Sequence, residues 1–188
     1  MAILITRTFD PVFEIPLLIG MVVWYTTPWE QIARVVSLLF LFYMVIPAIF
    51  FIGSIRKGRI SDWDITNKAE RKAIYFFSVA SHFVGILAIL ILRQTFLAKI
   101  LLVLWVVSLV FMIINFYWKI SVHACINALV LVVLNEFWGF KLFGWLFVVL
   151  LLVLWSRVYL KKHSISQVIA GALLAYILVD LGFVLIGI

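Results

Sequence analysis

Long runs of apolar residues constrain the fold of this sequence more than any other feature. The sequence contains seven such runs, near residues 11–27, 33–53, 73–92, 97–116, 120–138, 141–156 and 165–187. A bilayer core about 30 Å thick needs roughly 20 apolar residues per helix. Of the 188 residues, 67% are hydrophobic and 12% are charged, which excludes a water-soluble domain. The sequence predicts one all-α membrane domain over residues 1–188, a polytopic bundle of six or seven transmembrane helices.

The first apolar run decides between six and seven spans. Glu14 and Pro16 lie inside it, and the polar stretch TTPWEQ follows it closely. A run interrupted in this way can form a partial or interfacial helix instead of a full span.

The third apolar run carries small and polar residues at helical spacing, namely Ser78, Ser81, His82 and Gly85. Stripes of this kind are typical of helices that pack closely in lipid. We therefore interpret His82 as a packed or hydrogen-bonded side chain and not as a site residue.

Basic residues gather on one side of the predicted bundle. If the seven runs alternate in direction, residues 56–72, 117–123 and 156–163 face the same side. Four of the fifteen Lys and Arg residues fall on the other side: Arg34, Arg93, Lys99 and Lys141. The positive-inside rule predicts that the basic face is cytoplasmic. His123 and His163 also lie there, and imidazoles within a basic surface indicate a site for an anionic head group such as phosphate.

The last apolar run begins with a helix-capping pattern. Ser164 is followed three residues later by Gln167 in the stretch SISQ, which fits a capping box. His163 would then lie directly before the helix, where free N–H groups and the helix dipole favour an anion. Arg157 lies six residues earlier, so a non-helical turn must fold the chain back if both are to contact one phosphate.

The stretch SRVYLKKHSISQVIAG at residues 156–171 resembles the third signature of the type 2 phosphatidic acid phosphatase superfamily. That signature reads Ser-Arg, five residues, His, three residues, Asp, three residues, Gly. Four positions match at the correct spacing: Ser156, Arg157, His163 and Gly171. Gln167 replaces the Asp.

The other two signatures of that superfamily are met less completely. The second, Pro-Ser-Gly-His, is reduced to ISVH, in which Ser121 and His123 match. The first, Lys followed after six residues by Arg-Pro, is poorly met around Lys68 and Arg71. The resemblance covers a phosphatase-like core of about residues 56–175.

The resemblance implies a metal-independent lipid phosphatase that needs no cofactor. His163 resembles the nucleophile that forms a phosphohistidine, and His123 resembles the general acid and base. Arg157 would stabilise the charge that develops in the transition state. The predicted phosphate-binding residues are Arg71, Lys68, Ser121 and Lys119.

Gln167 stands where the superfamily has the acid that orients the nucleophilic imidazole. An Asp there would also stabilise positive charge on that imidazole, as in a Ser-His-Asp triad. Gln can accept only a neutral hydrogen bond. We predict that Gln167 still orients His163, in a slower enzyme.

Two other functional classes fit parts of the sequence. A non-catalytic carrier, scramblase or relative that binds phospholipid would keep the basic face and tolerate Gln167. An intramembrane prenyltransferase would need an aspartate pair for Mg²⁺, and Asp62 with Asp64 is the candidate pair. The expected partners are a lipid phosphate and the bilayer, with no nucleic acid, and the expected location is the cell membrane. The identity of the lipid and the oligomeric state stay open.

Overall fold

The structure is a computed structural model that describes residues 1–60 and 68–188, with the backbone alone at residues 68, 69 and 71. This part of the chain contains helices and no strand. The elements are α1 Ala2–Thr8, α2 Pro11–Thr26, α3 Trp29–Phe40, a π-helical turn Leu41–Val45, α4 Ile46–Arg56, α5 Lys68–Ile91, α6 Thr95–Tyr117, α7 Val122–Trp138, α8 Phe140–Phe143, α9 Leu146–Tyr159 and α10 Ile165–Ile186. The predicted all-α class is confirmed.

Within residues 1–60 and 68–188, four helical stretches are long and apolar enough to cross a membrane. They are Trp29–Arg56, Lys72–Ile91, Thr95–Tyr117 and Ile165–Ile186. The apolar helices Val122–Trp138 and Leu146–Tyr159 are shorter. The predicted helical membrane bundle is confirmed, and the count of six or seven spans stays a prediction.

The apolar run at 141–156 differs from its prediction, because it forms two helices. The short helix α8 ends in a tight turn in which the Gly144 N–H donates to the Phe140 carbonyl over 2.7 Å. A Cβ at Gly144 would lie 2.5 Å from that carbonyl oxygen, so the turn requires glycine. The second helix, α9, then runs to Tyr159, three residues beyond the predicted end.

The chain divides into two compact units. One unit contains residues 1–21 and 117–188, and the other contains residues 22–116. The prediction of one membrane domain with a core at 56–175 is not tested by this division.

In the unit of residues 22–116, the polar stripe of α5 meets the π-helical turn. Ser81 Oγ donates to the Phe42 carbonyl over 2.6 Å, and the His82 ring stacks on Tyr43 with 4.2 Å between ring centroids. His82 also hydrogen bonds to the Tyr43 backbone. Gly85 makes room for this contact, since a Cβ there would lie 3.0 Å from Phe42 Cβ. The α5 stripe is therefore structural, in agreement with the interpretation of His82.

Candidate functional site

In the unit of residues 1–21 and 117–188, α7 and α10 meet at their N-terminal ends. Gly171 allows the close approach, because a Cβ there would lie 2.7 Å from the Ser121 carbonyl oxygen. One turn earlier in α10, the Gln167 carbonyl accepts the Ser121 N–H over 3.2 Å. His123 lies in the first turn of α7, and His163 lies directly before the N-cap of α10. The packing therefore brings both histidines to the same end of the helix pair.

The turn between α9 and α10 folds His163 back onto Arg157. The N–H groups of Lys162 and His163 donate to the Arg157 carbonyl over 3.0 and 3.4 Å, and the Lys161 N–H donates to Val158 over 2.9 Å. Lys161 has a φ of 54°, the left-handed conformation that glycine usually adopts. These features form a Schellman motif. The motif supplies the non-helical turn that the sequence required.

A capping box fixes the start of α10. Ser164 Oγ accepts the Gln167 N–H over 3.3 Å, and Gln167 Oε1 accepts the Ser164 N–H over 3.0 Å. The predicted cap is confirmed, and caps of this kind contribute about 1 kcal/mol. The same Gln167 side chain lies beside the His163 imidazole. Gln167 thus neighbours the predicted nucleophile as well as capping the helix.

The surroundings of His163 favour its neutral form. Partial burial lowers the pKa of His163 to about 4, and the neighbouring cations Lys119 and Arg157 add to that effect. Hydrogen bonds with the Gln167 side chain and the Lys119 backbone offset part of the lowering. Arg157 also acts electrostatically on His123. Near neutral pH, His163 therefore carries a lone pair on its imidazole, close to two cations.

A carboxylate from the N-terminal segment lies beside His123. Asp10 Oδ2 is 3.4 Å from His123 Nε2, and the two side chains are 31% and 12% exposed. The other Asp10 oxygen accepts the Val12 N–H over 3.0 Å at the start of α2. Asp10 was not among the site residues predicted from the sequence. Its one local sign is the spacing of Asp10 and Glu14, two of only eight acidic residues in the chain.

The N-terminal segment is attached to α7 and α9 by buried and part-buried hydrogen bonds. Asn127 Nδ2 donates to Glu14 Oε2 over 2.8 Å and to the Phe9 carbonyl over 3.3 Å. The Thr6 and Ser156 hydroxyls are 2.8 Å apart. The first residues of the chain therefore pack against the helices that carry His123 and Arg157.

The predicted site residues fall into three groups. The structure brings five of them together: His123, His163, Arg157, Lys119 and Gln167. Ser121 is 0% exposed, and its hydroxyl caps α7 by accepting the Ala124 N–H over 3.4 Å. The side chains of Arg71 and Lys68 lie outside the described residues.

The described side chains include no group of three His, Cys, Asp or Glu residues that could hold a metal ion. Asp62 and Asp64, the pair that a prenyltransferase would need, lie outside the described residues. A Mg²⁺ site at that pair therefore stays an alternative based on sequence alone.

Comparison with known proteins agrees with the resemblance seen in the sequence. A family model described as the PAP2 superfamily matches residues 115–186. No curated protein and no solved structure matches the chain. The matched stretch runs from the end of α6 to the end of α10 and contains both histidines, whereas Asp10 lies outside it. This match at residues 115–186 is consistent with a member of the type 2 phosphatidic acid phosphatase superfamily, and members of the PAP2 superfamily are phosphatases.

Proposed function

We propose that the protein is a hydrolase that removes phosphate from a membrane lipid phosphate or diphosphate through a phosphohistidine at His163, without a metal ion or cofactor. The observation that carries this proposal is a neutral His163 imidazole beside Arg157 and Lys119, at the joined N-terminal ends of α7 and α10. A lipid substrate is favoured because the same chain has four helices long and apolar enough to cross a bilayer.

The first step transfers the phosphoryl group to His163. The unprotonated imidazole nitrogen donates its lone pair to phosphorus while the bond from phosphorus to the lipid oxygen breaks. Arg157 and Lys119 stabilise the nonbridging oxygens, and the N-terminal ends of the two helices add a favourable field. His123 donates a proton to the departing lipid oxygen, which leaves as an alcohol.

The second step returns the enzyme to its initial state. His123, now neutral, accepts a proton from water while the water oxygen attacks phosphorus and the bond from phosphorus to nitrogen breaks. Inorganic phosphate leaves, His163 is neutral again and His123 is protonated again. The sum is one lipid phosphate and one water converted to one lipid alcohol and one phosphate.

Gln167 serves as the residue that orients the nucleophile. Its amide oxygen accepts the Ser164 N–H over 3.0 Å, and the side chain also reaches His163. A neutral acceptor fixes the ring but stabilises imidazolium less than a carboxylate does, because charge-assisted hydrogen bonds are roughly twice as strong as neutral ones. The proposed enzyme is therefore slower than one with Asp at this position.

The remaining predicted phosphate ligands keep their proposed roles. Arg71 and Lys68 would add positive charge around the phosphate if their side chains reach it. Ser121 supports the site through the cap that positions the first turn of α7, and its buried hydroxyl stays a candidate donor.

A non-catalytic lipid-phosphate-binding protein is the second candidate. It is favoured by one observation: the Gln167 amide oxygen is engaged in the helix cap, and no carboxylate occupies that position. Such a protein would bind the phosphate through Arg157 and Lys119 but would release none.

Phosphate release from purified protein in detergent tests these alternatives. The substrates are phosphatidic acid, phosphatidylglycerophosphate, an isoprenyl phosphate and an isoprenyl diphosphate, each assayed with and without excess chelator. The proposed phosphatase releases phosphate from at least one of them with chelator present, and His163→Ala abolishes this release. Turnover that stops with chelator would instead indicate a Mg²⁺-dependent enzyme. Release from none would favour the binding protein.

A further inference from the structure

Asp10 lies beside the second histidine of the site, although it is outside the stretch that matches the superfamily. Its two carboxylate oxygens have different contacts. Oδ1 caps α2 through the Val12 N–H, and Oδ2 lies 3.4 Å from His123 Nε2. Neither ring nitrogen of His123 has a standard hydrogen bond to any residue that the structure describes, so the contact of Nε2 with Asp10 is electrostatic.

Hydrogen bonds of residues before and after Asp10 hold this segment in place. Asn127, one helical turn after His123 in α7, donates to the carbonyl of the preceding residue, Phe9, over 3.3 Å. The same amide donates over 2.8 Å to Glu14, one turn further along α2. Thr6 contacts Ser156, the residue before Arg157, over 2.8 Å. These contacts make the carboxylate a built part of the site and not a loose surface group.

A negative charge at this position has a chemical consequence for His123. Burial, and after it the Arg157 guanidinium, disfavours the protonated form of His123, which the first step of the proposed reaction requires. Asp10 is the group that opposes this effect, and it also fixes the orientation of the ring.

We propose that Asp10 is the positioning residue of His123, holding Nε2–H so that Nδ1 exchanges the proton with the lipid oxygen and with water. This inference rests on the proposed phosphatase function. It assigns the Asp10 carboxylate to the acid–base histidine. Among the described residues, the orienting group beside the nucleophile is the neutral Gln167.

The test compares two leaving groups in the variant Asp10→Asn. Asn keeps the helix cap and nearly the same shape but removes the charge. A lipid phosphate has an alkoxide leaving group that needs a proton, whereas 4-nitrophenyl phosphate leaves without one. We expect turnover of the lipid phosphate to fall by about 10- to 100-fold. We expect the first-turnover burst of 4-nitrophenolate to keep its amplitude. The rate constant of this burst should stay within about threefold of the wild-type value.

Two variants serve as controls. Asp180→Asn removes the same charge from an exposed position in α10. The rise of the helix places it about 25 Å from His163. This variant should leave both activities unchanged. Asp10→Glu keeps the charge and should retain more lipid turnover than Asp10→Asn. Thermal unfolding in detergent checks that each variant is folded.

The possible outcomes separate this inference from the proposed function. Unchanged lipid turnover in Asp10→Asn, or an equal loss of lipid turnover and of nitrophenolate burst amplitude, would overturn the role of Asp10 and leave the phosphatase assignment intact. A wild-type protein that releases no phosphate from any substrate would overturn the proposed function, and the role of Asp10 with it.

Discussion

Partial burial and the cations beside His163 set the lower limit of the pH range in which it can act as a nucleophile. Partial burial, Lys119 and Arg157 lower the pKa of His163 to about 4, and protonation removes the lone pair that attacks phosphorus. We therefore expect kcat/KM to fall as the pH decreases through about 4. Lys119→Met removes one of the cations that lower the pKa, so the acid limb should move to higher pH. Measured pH profiles of kcat/KM test both statements.

Lys162→Met is the matched control for this measurement. It removes the same charge from an exposed position in the turn before α10, and the acid limb should not move. A wild-type limb near the ordinary histidine pKa of about 6.5, or no shift in Lys119→Met, would contradict the proposed electrostatics.

Gln167 has two roles that substitutions can separate. Gln167→Ala removes the side chain that lies beside His163, and we expect kcat to fall about tenfold, the equivalent of about 1.4 kcal/mol. Gln167→Asp should maintain or raise kcat, because a carboxylate stabilises imidazolium better. The control Ser164→Ala weakens the cap by about 1 kcal/mol and should lower thermal stability with little change in kcat. An unchanged rate in Gln167→Ala would leave the residue as a helix cap alone.

Sequence patterns predicted those parts of the site that depend on neighbouring residues. They did not predict Asp10, which is distant in the sequence. The cap at Ser164 and the turn before His163 depend on neighbouring residues, so their spacing is visible in the sequence. Asp10 and His123 are 113 positions apart. Their contact results from the packing of the N-terminal segment against α7, and no local spacing encodes it.

At the scale of elements, the contact between α7 and α10 depends on one glycine. In Gly171→Ala the new Cβ would lie 2.7 Å from the Ser121 carbonyl oxygen, which is backbone and cannot move aside easily. We expect the two helix ends to separate, with a loss of about 1–3 kcal/mol in stability and a lower kcat. Thermal unfolding and phosphate release in detergent measure these changes.

Gly20→Ala is the control for Gly171→Ala. A Cβ at Gly20 would meet nothing within 4 Å, so this variant should keep wild-type stability and activity. Equal behaviour of the two variants would show that the α7–α10 contact does not support the site.

Hydropathy predicted which segments are helical better than it predicted where each helix ends. The last apolar run, at 165–187, forms the single helix Ile165–Ile186. The run at 141–156 is interrupted by a tight turn at Gly144. Apolar composition predicts burial in lipid but does not predict such a turn. Helix α5 starts at Lys68, five residues before the predicted run, since polar residues continue its helix beyond the apolar part.

At the scale of the whole molecule, the distribution of basic residues predicts a cytoplasmic site. Lys141 and Lys162 are both exposed and flank the segment that contains α9. If that segment crosses the bilayer, the two residues lie on opposite sides. In intact cells, an impermeant thiol reagent should label Lys141→Cys and should not label Lys162→Cys. The native Cys125 is buried, and a Cys125→Ala background removes any contribution from it.

The reverse labelling pattern would place the site at the outer face. Labelling of both cysteines would indicate that the segment does not cross the bilayer. The count of spans would then be lower than the seven apolar runs suggest.

The central claim is that His163 carries the phosphoryl group, and trapping the phosphorylated protein tests it most directly. The purified protein is mixed with a ³²P-labelled lipid phosphate that it hydrolyses, quenched in alkali and analysed for protein-bound label. We predict an acid-labile label on the wild type, an equal or greater amount on His123→Ala because hydrolysis of the intermediate is slowed, and none on His163→Ala. Label on His163→Ala, or undiminished phosphate release by that variant, would contradict the mechanism.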